Sequence, residues 1–170
     1  MTLSQAFVLV DPAQHDVKAF DCGKPAMNQF LARFAAKHRE LGISSTWVLT
    51  AESDESKAPV VAYYTLTTGT VSREEIPFDK SLPCYPVPVV VLARLAADHR
   101  YQGQGIGEKI LITALRKSVE LINSGLPALG TILDVLDDDA LSFYQRYKIF
   151  EPFTDDPMRL FAPMTVLQKI

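Results

Sequence analysis

Apolar residues along this chain recur at two different spacings, and the changes of spacing lay out the elements. Ala6–Leu9 reads as a short first strand. Pro25 suits the first turn of a helix, where its missing N–H is not needed. Beyond it Met27, Phe30, Leu31, Phe34, Ala35 and Leu41 recur at helical spacing until Gly42. Trp47–Thr50 and Val60–Thr67 are β-branched and aromatic, and with the polar stretch Glu52–Pro59 between them they predict a hairpin. Glu74–Pro88 carries Pro77, Pro83, Pro86 and Pro88 and predicts an ordered surface excursion. Val87–Leu95 is almost continuously apolar, as for a strand buried on both faces.

A second helix is predicted over Gln104–Asn123. Ile106, Ile110, Leu111, Ala114, Leu115, Leu121 and Ile122 face inward, and Gly125 and Pro127 end it. Thr131–Leu136 reads as a strand. Asp137 and Asp138 can cap a short helix running through Tyr147. Met158–Leu167 reads as a closing strand. Strand, helix, three strands, helix, strand, helix, strand predicts an α/β fold with a mixed sheet, because hairpins and crossovers coexist.

Composition narrows the class. With 170 residues, 48% hydrophobic and 22% charged, the chain has the apolar content of one globular domain spanning 1–170 and is not of the disordered type. Its apolar runs are too short to span a bilayer, and Met1–Val10 lacks the features of a signal peptide, so a cytoplasmic protein with no membrane contact is expected. Two cysteines, Cys22 and Cys84, are too few for a disulfide scaffold or a zinc site; both are read as reduced and structural, with no metal. The net charge of −3, from 17 Lys+Arg against 20 Asp+Glu, is not that of a protein that coats nucleic acid nonspecifically. Any nucleic-acid contact must therefore use a local patch.

The chemistry concentrates in Arg100-Tyr-Gln-Gly-Gln-Gly-Ile-Gly-Glu108, between the buried strand and the amphipathic helix. Gly103, Gly105 and Gly107 let backbone approach a ligand, and the amides that open the helix favour an anion such as a pyrophosphate. The dinucleotide fingerprint does not fit: the glycines run G-x-G-x-G, and Pro127 stands where an acidic residue belongs. The Gly-Lys-Ser/Thr ending of a P-loop is also absent. A tight strand-to-helix turn that binds nothing is the alternative reading.

Gln102, Gly105 and Gly107 form Gln-x-x-Gly-x-Gly, which resembles the acetyl-CoA pyrophosphate loop of the GNAT N-acetyltransferase superfamily. Downstream, Ala140-Leu-Ser-Phe-Tyr-Gln-Arg-Tyr147 resembles that superfamily's short fourth helix, A-x-x-F-Y-x-x-x-G-F. Phe20-Asp-Cys-Gly23, Ala62-Tyr-Tyr-Thr-Leu66 and Leu92-Ala-Arg-Leu-Ala96 extend the likeness, over essentially the whole chain, to the GNAT-type toxins of bacterial toxin–antitoxin modules. The resemblance implies a mixed, mostly antiparallel central sheet of about six to seven strands flanked by helices. It also implies acetyl-CoA as co-substrate, acetylation of the free α-amino group of an aminoacyl-tRNA, a ribbon-helix-helix antitoxin as partner, and a homodimer. One departure stands out. Tyr147-Lys148-Ile149-Phe150 lacks the family's glycine after the fourth helix and carries one extra residue. A left-handed cap without glycine costs about 1 kcal/mol, and the wall on the acceptor side is expected to change shape.

By the same resemblance Tyr144 is the general acid that protonates the departing thiolate. Phe143 borders the cofactor, and packing of the helix onto the sheet is the other reading of Phe143 and Tyr147. Leu95, Ala96 and Ala97 hold the acetyl carbonyl through backbone N–H groups. Gln102, Gly103, Gln104, Gly105, Ile106 and Gly107 hold the pyrophosphate, and Arg100 adds a charge to it or is simply solvated. No general base is assigned, since an α-amine titrates near about 7.7–8.0 before an adjacent ester lowers it further. His99, beside the loop, is read as a contact to phosphate or solvent. Lys24, Arg33, Lys37 and Arg39 are the RNA-binding candidates, with Arg159 a weaker addition; cations late in a helix also suit its negative end. Two other functions stay open: an acetyltransferase of a small-molecule or protein amine, and a non-catalytic CoA-binding subunit of an antitoxin complex.

Overall fold

The structure is a computed structural model that describes residues 3–76, 82–153 and 155–170. Pro77 and its neighbours to Ser81, part of the proline-rich excursion, lie outside the described residues. The chain forms two compact units, Met1–Thr67 with Arg94–Thr113, and Thr68–Ala93 with Ala114–Ile170.

In the first unit β1 (Val8–Leu9) pairs antiparallel with β3 (Ser45–Thr50), and β3 pairs antiparallel with β4 (Ala58–Val71). This is the hairpin expected from the sequence. Trp47 lies opposite Tyr64, their rings stacked at 5.3 Å. A two-residue strand that the pattern does not reveal, β2 (His15–Asp16), runs parallel to β4 with His15 opposite Ala58. Phe20, Met27, Phe30, Leu31, Ala35, Val48, Tyr63 and Ala96 form the core of this unit. The buried Tyr63 hydroxyl donates to the Met27 carbonyl at 2.8 Å, and the Arg94 guanidinium sits 3.8 Å above the Phe30 ring.

The first helix differs from its expected form. It begins as α1 (Pro25–Gln29), widens into a π turn over Phe30–Phe34, and resumes as α2 (Ala35–Glu40). The Ala35 N–H bonds to the carbonyl of Phe30, five residues back. That extra residue moves Ala35 onto the buried face and turns Phe34 outward, 42% exposed. Leu41, expected inside, is 63% exposed for the same reason of phase.

In the second unit Val90–Leu92 of β5 (Val87–Ala97, whose residues from Arg94 on belong to the first unit) pair parallel with β6 (Gly130–Asp134). β6 pairs antiparallel with β8 (Arg159–Pro163), and β7 (Glu151–Pro152) adds to β8. Val89, Val90 and Leu92 are all buried, which fits a strand covered on both faces. Gly130 has no room for a side chain: a Cβ there would stand 2.3 Å from the Ala162 carbonyl oxygen and 3.0 Å from the Phe161 ring. α3 (Ile106–Asn123), which belongs to the first unit up to Thr113 and to the second from Ala114, buries Ile106, Ile110, Leu111, Ala114 and Leu115 as expected, while Leu121 and Ile122 are only partly buried. α4 (Asp138–Gln145) is capped by Asp137, whose carboxylate accepts the Ala140 N–H at 2.8 Å.

Two expectations fail in this unit. Met158–Leu167 is not one strand: the chain leaves β8 at Pro163 and turns into α5 (Met164–Leu167), which buries Leu167. The end of α4 also avoids the left-handed residue that a missing glycine would strain. Arg146 stays right-handed, the Tyr147 N–H bonds to the Tyr144 carbonyl at 3.1 Å, and no described non-glycine residue has a positive φ. With ladders β1·β3, β3·β4, β6·β8 and β7·β8 antiparallel and β2·β4 and β5·β6 parallel, the fold is the mixed, mostly antiparallel α/β type. Among the described residues the short strands β2 and β7 bring the number to eight, beside the about six to seven expected.

Candidate active site

β5 ends at Ala97 and leads through a 3-10 turn, His99–Tyr101, into the glycine loop. Gly103 and Gly105 both take left-handed backbone, φ +82 and +76, and a Cβ at either would meet nothing within 4 Å. Conformation, not crowding, is what asks for glycine there. The α3 ladder begins with the Lys109 N–H on the Gly105 carbonyl, 3.1 Å, so the amides of Ile106, Gly107 and Glu108 lie ahead of it. Gln102, Gly103, Gln104 and Gly105 are exposed, while Tyr101 and Ile106 are buried at either side. Open backbone at the start of an 18-residue helix, anchored at both ends, suits a pyrophosphate.

Around this loop the side chains do something that local sequence does not announce. Asp98 is fully buried, and its Oδ1 accepts the Arg100 N–H (3.0 Å) and Nε (2.9 Å). Its Oδ2 accepts Arg100 Nη2 and the Asp21 N–H, both at 3.1 Å. Burial by itself raises the Asp98 pKa, but the bonds from Arg100 and from the Asp21 amide outweigh it and hold the carboxyl below the usual range. Arg100, expected on phosphate, is thus engaged by Asp98. Gln102 turns its amide back to the Ala97 carbonyl at 2.9 Å. His99 sets its N–H and its Nδ1 on the Asp21 carbonyl, at 2.9 and 2.8 Å. Leu95 and Ala97 are partly buried and Ala96 is buried in the core of the first unit.

Tyr144 lies in the second unit, 6% exposed, on the buried side of α4. Its ring packs edge-on against Phe143 (5.1 Å) and Phe150 (6.0 Å), and Phe143 also meets Tyr147 at 5.5 Å. Burial, with a smaller contribution from the Asp137 charge, pushes the phenol up to about 12. Phe143 carries the Arg146 guanidinium 5.0 Å above its ring.

Lys24, Arg33, Lys37 and Arg39 are all exposed on the first unit. Arg159 is not presented outward in the same way: it pairs with Asp134 at 3.1 Å and Glu75 at 3.6 Å and lies 5.1 Å above the Phe153 ring. Cys22 and Cys84 are free; burial pushes the Cys22 thiol up, whereas Cys84 is exposed and takes no part in the core. Among the described residues no group of His, Cys, Asp and Glu is arranged to hold a metal, and no helix is long and apolar enough to cross a membrane. The residue missed from sequence was Asp98. Its only signal was an acidic side chain at the end of an apolar strand.

The chain is similar in sequence and fold to several known proteins. A tRNA-acetylating toxin of Mycobacterium tuberculosis is 32% identical over 152 residues, 88% of this chain and 86% of its own. AtaT complexed with acetyl-methionyl-tRNAfMet superposes with a TM-score of 0.86 at 26% identity, over 98% of both chains. AtaTR bound with acetyl-CoA gives 0.83 at 26% identity, over 99% of this chain and 97% of that one. A mutant of AtaT bound to the C-terminus of the antitoxin AtaR gives 0.81 at 25% identity, over 99% and 98%. The profile of the acetyltransferase (GNAT) family matches residues 16–148, and the chain belongs to that family.

Proposed function

We propose that this protein is an acetyl-CoA-dependent N-acetyltransferase that acetylates the α-amino group of an aminoacyl-tRNA and so blocks translation as the toxin of a toxin–antitoxin module. The whole-length likeness to a toxin solved with an acetylated aminoacyl-tRNA carries this reading. The whole chain, 1–170, acts as one acetyltransferase domain. Its partners are a ribbon-helix-helix antitoxin and a second copy of itself, and it works in the cytoplasm.

The residues divide the work as follows. The amides from Gly103 to Gly107 take the pyrophosphate of acetyl-CoA, with the α3 dipole favouring the negative charge. Backbone N–H groups of Leu95–Ala97 polarise the thioester carbonyl. The acceptor amine attacks the carbonyl carbon, the carbon–sulfur bond breaks, the thiolate takes its proton from Tyr144 Oη, and the proton shed by the acylated nitrogen passes to solvent, from which the phenolate is recharged. The Tyr144 phenol is protonated at neutral pH, and its burial, which raises the pKa, keeps it so while making it a weaker donor. Lys24, Arg33, Lys37 and Arg39 receive the tRNA backbone. Arg100 serves the loop through Asp98, and Gln102 through Ala97.

The net charge of −3 favours a second reading, transfer to a small or protein amine. Transfer of labelled acetyl from acetyl-CoA to bulk charged tRNA, with deacylated tRNA and polyamines as controls, separates the two. Label on charged tRNA alone, lost in Tyr144→Phe, is the expected result. Label on polyamines would overturn the tRNA claim. Binding of acetyl-CoA with no transfer to any amine would favour the non-catalytic subunit.

A further inference from the structure

Asp21, Cys22 and Asn28 have no part in the chemistry above, yet they are bonded to the segment that leads into the glycine loop. Seventy-seven positions separate Asp21 from Asp98, and the Asp21 N–H closes on Asp98 Oδ2 at 3.1 Å. The Asp21 carbonyl receives His99 twice, at 2.9 and 2.8 Å, and the Cys22 carbonyl receives Gln102 Nε2 at 3.5 Å. The near side of this junction is itself braced. Asn28 Oδ1 accepts the Cys22 N–H at 2.9 Å, and Asn28 Nδ2 donates to Asp21 Oδ1 at 2.9 Å. The Gly23 N–H donates to Asp21 Oδ1 at 2.8 Å. At the centre is a fully buried carboxylate with two donors on each oxygen.

We infer that Asp98 is a positioning residue for acetyl-CoA binding: together with Asp21 and Asn28 it clamps the chain before Gly103, so that the loop amides converge on the pyrophosphate before it arrives. This rests on the assignment of the glycine loop to acetyl-CoA. Between the buried Tyr101 and Ile106, Gln102–Gly105 are exposed, and two of the glycines are in left-handed backbone that other conformers can replace. A loop ordered beforehand binds more tightly because less freedom is lost on binding. The clamp also explains why Arg100 and Gln102 face the protein: both are engaged in holding the loop, and the anion is left to backbone N–H groups.

Asp98→Asn tests it directly. The asparagine must turn an NH2 toward donors that now face a carboxylate oxygen, which opens the junction while preserving size. Direct titration with CoA is expected to show affinity reduced roughly tenfold or more, with the KM for acetyl-CoA rising in parallel and kcat changing less than about threefold. Asn28→Ala, at a partly exposed position in α1, carries the test if Asp98→Asn fails to fold, and is expected to weaken CoA by a smaller factor. Where both fold, the double variant is expected to be little worse than Asp98→Asn alone, because the two act on one junction. A purely structural role would lower the melting temperature and leave CoA affinity of the folded protein unchanged; that result, in whichever variant folds, overturns the inference. A wild-type chain that binds no CoA overturns both the inference and the assignment of the loop. Wild-type CoA binding, weakened by the variants, with no acetylation of charged tRNA supports the inference and removes only the proposed acceptor.

Discussion

Burial of the Tyr144 side chain pushes its phenol up to about 12, so it keeps its proton throughout the neutral range. An acid is active below its pKa, so raising that value extends activity upward. The rate is therefore expected to climb with pH as the acceptor amine loses its proton, with a midpoint at or below about 8, and to stay level well into the alkaline range. A profile that turns down between pH 8 and 10 would contradict Tyr144 as the acid. Tyr144→Phe is expected to lower kcat about 100-fold while leaving the KM for acetyl-CoA within about twofold, since general acids typically contribute factors of that order. The glycines give a second residue-level contrast. Gly103→Ala or Gly105→Ala forces left-handed backbone on a side chain that has space, so about 1–2 kcal/mol of conformational strain should appear as roughly 5- to 30-fold weaker CoA binding with little change in melting temperature. Gly130→Ala meets backbone at 2.3 Å, and overpacking of about 1–3 kcal/mol should appear in the melting temperature instead. Titration with CoA beside thermal melts of the three variants distinguishes the two roles of glycine.

At the scale of elements, what could be read from sequence was whatever repeats or caps locally. The β3–β4 hairpin, α3 and the Asp137 cap follow from residues close together in the chain. The glycine loop could be read for the same reason. The π turn could not, because Phe30, Leu31, Phe34 and Ala35 fit an α-helix just as well; the choice is made by packing around Phe30 and Tyr63. β2 was hidden because two residues carry no periodicity, and Asp98 because its partners are remote in sequence. β2 introduces a testable dependence on pH. His15 is 6% exposed, and its Nδ1 accepts the Asp11 N–H at 2.9 Å. Burial lowers its pKa, with Asp11 opposing only in part. The unfolded chain then takes up a proton near about 6.5 before the native one does, so stability is full above that value and falls as the pH drops through it. Melting temperature is expected to decline between pH 7.5 and 5.5, and His15→Asn, which can keep an acceptor without titrating, should flatten that part of the slope. An unchanged slope in the variant would place the effect elsewhere.

Across the whole molecule the charge balance, 17 cations against 20 anions, sets the problem that an RNA acceptor poses. Long-range attraction cannot come from net charge, so it must come from where the cations stand. Lys24, Arg33, Lys37 and Arg39 are exposed and lie within sixteen positions of one another on the first unit, the unit that also carries the glycine loop. Lys37 and Arg39 fall in the last turn of α2, where a cation also stabilises the helix end. The two roles part on measurement. If the patch receives phosphate, Arg33→Glu with Lys37→Glu should raise the KM for charged tRNA by tenfold or more and leave CoA affinity unaltered. The dependence of that KM on salt should also become shallower, by about 0.7–0.9 in logarithmic slope for each phosphate that the variant no longer neutralises. If the cations serve only α2, the same variant melts earlier and transfers acetyl to charged tRNA with an unchanged salt slope. The salt slope decides, because lower stability changes how much enzyme is folded but does not change how many counterions the RNA releases on binding.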